Sequence, residues 1–240
     1  MIDVVLAAGY ATRMYPLTEN FPKPLLEIKG KTILDSLVED IDGIPSITGH
    51  VVVSNHKFAD RFMQWRDGVR LDKSVSVIDD GSTDNDHRLG AVCDFLLAME
   101  RCGFPDDDFL VVAADNLLDF SLSTFVDFFK EKGTSAIMCY DEPSVSALRR
   151  TGVITVDEDW KVTGMEEKPE IPKSNWAVPP FYIFSRNDLP LIRKCLENGC
   201  APDAPGNLAR FLCSRSVVHA FPMPGHRIDI GNLETYYKIR

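Results

Sequence analysis

In the first 140 residues, short apolar runs typical of strands alternate with segments whose apolar residues have the spacing of an amphipathic helix. Residues 2–7 are a short, β-branched apolar run, which is typical of a buried strand. Residues 88–101 place apolar side chains three and four apart, which predicts an amphipathic helix. The same reasoning predicts strands at 50–54, 74–78, 109–113 and 136–140, and helices at 32–38, 57–66 and 123–132.

The remainder of the chain has shorter apolar runs separated by proline-containing turns. Because strand and helix alternate in the first part, we expect an α/β fold whose parallel sheet is covered on both faces. No repeat or linker interrupts the pattern, so residues 1–240 are predicted to form one domain. The second part predicts strands at 152–156, 161–164, 177–184, 217–221 and 228–230, and helices at 186–197, 207–213 and 233–239.

Charge and cysteine content narrow the classes of protein that this chain can represent. Its 36 acidic and 26 basic residues give a net charge of −10, which argues against general binding to nucleic acid or anionic membranes. The six cysteines form no C-x-x-C pair and show no zinc-ligand spacing, which is typical of reduced thiols. We therefore expect a cytoplasmic protein. The chain opens on a strand that contains Asp3, without a basic segment and a long apolar run, so no signal peptide is expected. No apolar stretch is long enough to predict a membrane span.

A loop of small residues after the first predicted strand carries the first candidate chemistry. The segment L-A-A-G-Y-A-T-R-M begins at Leu6, and P-K-P-L-L follows at 22–26. Small residues at the end of a strand leave backbone N–H groups free to bind phosphate, and Arg13 and Lys23 add positive charge. The single glycine, Gly9, fits neither a dinucleotide-binding fingerprint nor a P-loop. Taken alone, the segment also fits an ordinary turn with surface charges.

Asp115 is the second candidate, because it closely follows the strand predicted at 109–113. Ligands of parallel α/β sheets bind at the carboxyl ends of the strands, so Asp115 and the loop after the first strand should share one edge. Each candidate also has a simpler interpretation when taken alone. Asp115 fits a helix cap, Asp229 fits a solvent-facing position in an apolar strand, and Lys168 fits a turn before a proline.

Four segments, taken together and in order, resemble the nucleoside-triphosphate:sugar-1-phosphate nucleotidyltransferases, which include thymidylyl-, uridylyl- and cytidylyltransferases. They are the loop with P-K-P-L-L, V-V-A-A-D-N at 111–116, T-G-M-E-E-K-P at 163–169 and R-I-D-I-G-N at 227–232. The resemblance covers nearly the whole chain. It implies a Rossmann-like three-layer sandwich with a mostly parallel mixed sheet. It further implies a nucleotide-binding half at about 1–140 and an acceptor-binding half at about 141–240.

The resemblance also implies an activity, namely transfer of a nucleoside monophosphate from a triphosphate to a sugar 1-phosphate with release of pyrophosphate. Arg13 would hold the β- and γ-phosphates, Lys23 the α-phosphate and Lys168 the phosphate of the acceptor, while Asp115 and Asp229 would bind Mg²⁺. The expected partners are a nucleoside triphosphate and a phosphorylated small molecule, and a homo-oligomer is left open. The predicted substrate-binding residues are Leu6, Ala8, Gly9, Tyr10, Ala11, Thr12, Asp80, Gly81, Asn116, Glu167 and Lys168.

Three departures from the family pattern leave the substrates open. Ala11 stands where a second glycine is usual, which removes freedom for a positive φ. The region 79–91 lacks the glutamine that reads a pyrimidine, and Asp80 is a candidate acceptor for the exocyclic amine of cytosine or adenine. Pro180 stands where glycine is common and offers no N–H to a sugar hydroxyl.

Three competing functions remain at this point. A cytidylyltransferase that acts on phosphocholine or another phosphorylated alcohol would share the loop. A regulatory module without catalysis would be expected to lack Arg13, Lys23 or a metal-binding aspartate, and all of these are present. A metal-dependent glycosyltransferase would use a D-x-D motif, and Asp106-Asp107-Asp108 has that spacing but precedes its strand instead of following it.

Overall fold

A computed structural model describes residues 1–240, and the strands and α-helices are numbered here in chain order. The strands are β1 Ile2–Leu6, β2 Glu27–Ile28, β3 Lys31–Thr32, β4 Gly49–Ser54, β5 Val75–Asp79, β6 Phe109–Ala113, β7 Asn116–Leu118, β8 Ser135–Asp141, β9 Gly152–Val156, β10 Val162–Glu167, β11 Trp176–Val178, β12 Phe181–Phe184, β13 Val218–Pro222 and β14 Arg227–Asp229. The helices are α1 Ile33–Asp42, α2 Ala59–Gly68, α3 Ala91–Arg101, α4 Ser123–Lys132, α5 Val145–Leu148, α6 Leu189–Ile192, α7 Pro205–Cys213 and α8 Leu233–Ile239. Short 3-10 helices cover Thr12–Met14, Lys23–Leu25, His56–Phe58 and Arg186–Asp188.

One ten-stranded mixed sheet runs through the molecule in the order β10-β9-β11-β8-β12-β6-β1-β4-β5, with β13 beside β8. Following the pairings from strand to strand, only β10, β11 and β12 run against the other seven, so most strands share one direction. Leu6 lies level with Ala113 on β6 and with Val53 on β4. The loops that follow β1, β4, β5 and β6 therefore meet at one edge of the sheet, as expected.

Helices cover both faces of this sheet, which gives three layers. Adjacent residues of β1 point to opposite sides, so that Val4 belongs to one apolar core and Val5 to the other. The core on the Val4 side is closed by α3, α6 and α7, and the core on the Val5 side by α1, α2 and α4. None of the helices combines the length and the apolarity that a membrane crossing requires.

Two predicted elements are divided into shorter pieces in the structure, and both divisions involve local backbone chemistry. The strand predicted at 177–184 is split into β11 and β12 at Pro179 and Pro180, because proline has no N–H for the ladder. The helix predicted at 186–197 is a 3-10 turn, the single turn α6 and further turns. Several backbone hydrogen bonds here join residues three apart, such as that from the Cys195 N–H to the Ile192 carbonyl at 3.0 Å, which is 3-10 geometry.

The start of α3 also differs from the prediction, since the helix begins at Ala91 and not at residue 88. Gly90 has φ of +94°, a conformation that ends any helical continuation toward the N-terminus. The carbonyl groups of Pro202 and Asp203 accept the N–H groups of Val92 and Ala91. Pro202 and Asp203, just before α7, therefore pack against the first turn of α3.

Gly90→Ala is expected to lower the free energy of unfolding by roughly 3 kcal/mol, measured by urea denaturation. A Cβ at this position would lie 2.5 Å from the Pro202 carbonyl oxygen and 2.9 Å from Asp203 Cα, both of them backbone atoms. Gly103→Ala is the matched control, since Gly103 has φ of +73° but no atom within 4 Å of an added Cβ. The control should lose only about 1 kcal/mol. Equal losses in the two variants would contradict a steric role for the 202–203 turn.

Candidate active site

The loop after β1 turns sharply and presents its backbone at the carboxyl edge of the sheet. Ala11 adopts the left-handed conformation, with φ of 48° and ψ of 40°, and its carbonyl accepts the Thr18 hydroxyl at 2.8 Å. Ala11 therefore takes a positive φ, for which alanine has less freedom than glycine. The hydrogen bond from Thr18 helps to hold the turn that a second glycine would adopt more easily. The 3-10 turn that follows leaves Thr12 and Arg13 exposed.

Two side chains anchor this loop to neighbouring strands. The Asn55 amide, just after β4, donates to the Ala8 carbonyl at 3.0 Å. The Tyr10 hydroxyl donates to the Ser82 carbonyl at 2.8 Å, and the Tyr10 side chain is buried. Tyr10 thus ties the loop after β1 to the loop after β5, whereas Gly9 remains exposed.

A cleft of about 220 Å³ opens between the loop after β1 and the end of β6. Lys23 is the first residue of the 3-10 helix that follows Pro22. The Lys23 side chain faces the same cleft. Asp115 closes the opposite side. The lining residues are Leu6, Ala7, Gly9, Ala11, Arg13, Lys23, Pro24, Ala113, Ala114 and Asp115.

Both oxygens of the Asp115 carboxylate have a partner. Lys23 Nζ donates to Oδ2 at 2.7 Å, and the Asn116 side-chain amide donates to Oδ1 at 2.7 Å. The Lys23 and Asp115 side chains are 13% and 32% exposed. An ion pair open to solvent to this degree contributes about 1 kcal/mol or less to stability, so its main effect is to fix where the two charges stand.

Asp229, from the far end of the chain, lies beside this cleft, near Asp115. The pairing of β14 with β7 sets Asp229 opposite Asn116, and the Ile230 N–H donates to the Asp115 carbonyl at 3.0 Å. Desolvation and the nearby Asp115 carboxylate raise the pKa of Asp229 above its usual value. Three cations, Lys23, Arg227 and Arg13, act in the opposite direction. Two carboxylates and three cationic groups therefore share one small region.

The loop after β5 forms a second group on the far side of Tyr10. Asp80 is buried, and its carboxylate accepts the N–H and the hydroxyl of Ser82, both at 2.7 Å. Burial, with the neighbouring Asp80 carboxyl, raises the pKa of Asp94 to about 7. Gly81 is exposed, with φ of 79°. The structure therefore turns Asp80 inward and leaves Gly81 at the surface of this loop.

Glu167 and Lys168 form a third group at the end of β10, and neither lines the cleft at Asp115. Lys168 adopts a left-handed backbone, with φ of 49°, and its N–H donates to the Thr151 carbonyl at 3.0 Å. Burial raises the pKa of Glu167, and Asp203 adds to this effect while Lys168 and Arg210 oppose it. Pro180 stands closer to the cleft, because its carbonyl accepts the N–H of Ala113 at 3.1 Å.

Residues 2–240 match the family model described as nucleotidyl transferase. The chain belongs to the nucleotidyl transferase family. Among curated relatives, a UTP–glucose-1-phosphate uridylyltransferase of Synechocystis is 28% identical, over 99% of this chain and 62% of its own length. A glucose-1-phosphate adenylyltransferase of Fervidobacterium nodosum is 26% identical, over 99% of this chain and 60% of its own length. The chain thus spans about three-fifths of these two relatives.

A third nucleotidyl transferase relative is nearer to this chain in length. The UTP–glucose-1-phosphate uridylyltransferase AglF of Haloferax volcanii is 28% identical over 96% of this chain and 91% of its own length. Among solved structures, a UDP-glucose pyrophosphorylase complexed with UDP-glucose aligns with a TM-score of 0.80 and 22% identity. The alignment covers 100% of this chain and 99% of the other. The predicted three-layer fold with a mixed sheet is confirmed.

Arg227 had no predicted role, but the structure places it beside Asn116 and Asp229. Arg227 Nη1 donates to Asn116 Oδ1 at 2.7 Å and lies 4.0 Å from Asp229 Oδ2. One signal was available in the sequence, because Arg227 and Asp229 are two residues apart on one strand. Residues at that spacing face the same side of a sheet.

Proposed function

We propose that this protein transfers a nucleoside monophosphate from a nucleoside triphosphate to a sugar 1-phosphate, forming a nucleoside-diphosphate sugar and pyrophosphate. The observation that carries the proposal is the convergence of Arg13, Lys23, Asp115 and Asp229 beside the loop after β1. Family membership and the names of the curated relatives support the same reaction. Residues of about 1–140 would bind the nucleotide, and those of about 141–240 the acceptor.

In the proposed reaction, an acceptor phosphate oxygen forms a bond to the α-phosphorus. The bond from that phosphorus to the bridging oxygen breaks, and the electron pair leaves with pyrophosphate. No covalent enzyme intermediate is required, so catalysis consists of alignment and charge neutralisation. Lys23 would neutralise charge at the α-phosphate. Arg13, exposed and without an ion pair in the site, would bind the β- and γ-phosphates and the departing pyrophosphate.

Magnesium fits the residues present at this cleft. The protein has no cluster of three or more side chains that could hold a metal by themselves. Mg²⁺ is commonly bound through one or two carboxylates together with substrate phosphates, and Asp115 and Asp229 supply two carboxylates in the same region. A bound Mg²⁺ would neutralise phosphate charge and orient the triphosphate. Asp115 and Asp229 are therefore the residues that would hold it.

Selection of the base and of the acceptor would involve the two other groups of residues. We place the nucleobase along the loop after β5, where Gly81 offers exposed backbone and Asp80 shapes the loop through Ser82. Leu6, Ala8 and the backbone of the loop after β1 would line the nucleotide site. Glu167 would accept a hydrogen bond from a sugar hydroxyl, and Lys168 would bind the acceptor phosphate.

A cytoplasmic location accords with six cysteines that form no disulfide.

Pyrophosphate release with Mg²⁺ tests this function, with each of the four nucleoside triphosphates crossed against a panel of sugar 1-phosphates and phosphocholine. We expect release only with a particular triphosphate, a sugar 1-phosphate and the metal together. A preference for thymidine or uridine triphosphate, whose bases carry no exocyclic amine, would exclude Asp80 as an acceptor of such an amine and leave it only the role of shaping the loop through Ser82. Release only with phosphocholine would support a cytidylyltransferase with a non-sugar acceptor. Release with no pair would count against the proposed transfer.

A further inference from the structure

Arg227 lies at the centre of a hydrogen-bonded chain that reaches Asp115. Its side chain is 15% exposed and extends from β14 across the end of β7. Nη1 donates to Asn116 Oδ1 at 2.7 Å, and Nη2 donates to the Tyr140 hydroxyl at 3.2 Å. The guanidinium also lies 5.0 Å from the centre of the Tyr140 ring. These contacts hold the Arg227 guanidinium in one position.

Arg227 determines which way the Asn116 amide points. An amide has one acceptor end and one donor end, whereas a guanidinium has donors only. With Oδ1 of Asn116 facing Arg227, Nδ2 faces Asp115 and donates to its Oδ1 at 2.7 Å. A flipped amide would set its oxygen against the Asp115 carboxylate and its NH₂ group against the guanidinium. Because Asn116 is 1% exposed, water offers no substitute partner.

The fixed amide gives the two oxygens of Asp115 different roles. Oδ1 is held by Asn116, whose position depends on the β14–β7 pairing. Oδ2 is held by Lys23, a long and partly exposed side chain that can move to another anion. The carboxylate is therefore anchored through one oxygen, and the other is available to a cation that arrives with the triphosphate.

We propose that Arg227 is a positioning residue, which acts through Asn116 to orient the Asp115 carboxylate for a metal–triphosphate complex. The inference rests on the proposed function, because it concerns the same site. Arg227 itself would touch neither the triphosphate nor the acceptor. A residue that orients a metal ligand in this way changes metal affinity about 10- to 100-fold when it is removed.

The test measures Mn²⁺ binding by electron paramagnetic resonance. The protein is mixed with the nucleoside triphosphate that best protects it against thermal unfolding. We expect Arg227→Met to weaken Mn²⁺ binding about tenfold or more, and Arg227→Lys, which keeps a cationic donor for Asn116, to recover much of the loss. The KM for the acceptor should stay within about twofold of the wild-type value. Arg186→Met is the matched control, since Arg186 pairs with Asp108 at the opposite edge of the sheet.

A double-mutant cycle separates the route through Asn116 from a direct effect of Arg227 on Asp229. In an Asn116→Ala background, Arg227→Met should change Mn²⁺ affinity by less than about twofold. A full tenfold loss in that background would overturn the route through Asn116. Unchanged Mn²⁺ affinity in Arg227→Met with a raised acceptor KM would make Arg227 an acceptor-binding residue. Wild-type protein that binds no triphosphate with Mn²⁺ would instead refute the proposed function itself.

Discussion

Arg13→Ala is expected to reduce kcat/KM for pyrophosphate release about 10³-fold or more while leaving the fold intact. Arg13 follows the small-residue loop, is exposed, and lines the cleft with Lys23 and Asp115. A cation placed beside the leaving pyrophosphate neutralises charge that develops as the bond to the α-phosphorus breaks. The loss should therefore appear largely in kcat at saturating triphosphate, with a smaller rise in KM.

Steady-state kinetics and urea denaturation of the same preparation check this expectation. Arg66→Ala is the matched control, because Arg66 is on the surface of α2 and pairs only with its neighbour Asp67. We expect the control to keep wild-type rates and both variants to unfold at the wild-type urea midpoint. Wild-type turnover in Arg13→Ala would remove Arg13 from the mechanism. A lowered unfolding midpoint would show that Arg13 also supports the loop.

Much of this edge of the sheet could be predicted because it depends on strand order and on local pattern. The apolar runs that became β1 and β6 are short and β-branched, and their parallel pairing sets Leu6 level with Ala113. Asp115 then had to lie near the loop after β1. The start of the helix predicted at 32–38 is equally local, since the Thr32 hydroxyl caps it by accepting the N–H of Asp35 at 2.9 Å.

Other features of the site depend on contacts between distant parts of the chain, which no local pattern specifies. The Tyr10 hydroxyl meets the Ser82 carbonyl, in the loop that carries Asp80, across 72 positions of sequence. Arg227 meets Asn116 across 111 positions of sequence.

The prediction of one long strand at 177–184 was wrong for a local reason that was visible in the sequence. Two consecutive prolines lack the N–H groups that a continuous ladder requires.

Lys23→Met is expected to change two measurable properties in opposite directions. Turnover should fall about 10²-fold or more, because the proposed neutralising charge at the α-phosphate is lost. Binding of Mn²⁺ to the protein without nucleotide should become roughly fivefold tighter. In the unliganded protein Lys23 Nζ stands 2.7 Å from Asp115 Oδ2, so the lysine occupies the position of a competing cation. Removing a unit charge from this partly exposed site corresponds to roughly 1 kcal/mol.

The two effects separate the roles of Lys23 as a ligand of the substrate and as a partner of Asp115. Lys23→Arg keeps the charge and should leave Mn²⁺ affinity near the wild-type value, and Lys31→Met controls for loss of an exposed lysine that pairs with Glu39. Lower turnover with unchanged Mn²⁺ affinity would mean that Lys23 acts only on the substrate and does not compete with the metal for Asp115. Tighter metal binding with lower turnover would mean that Lys23 leaves Asp115 as the triphosphate enters. The ammonium group of Lys23 would then move from the Asp115 carboxylate to the α-phosphate. The Asp115 oxygen that it leaves would become available to Mg²⁺ only when the triphosphate is present.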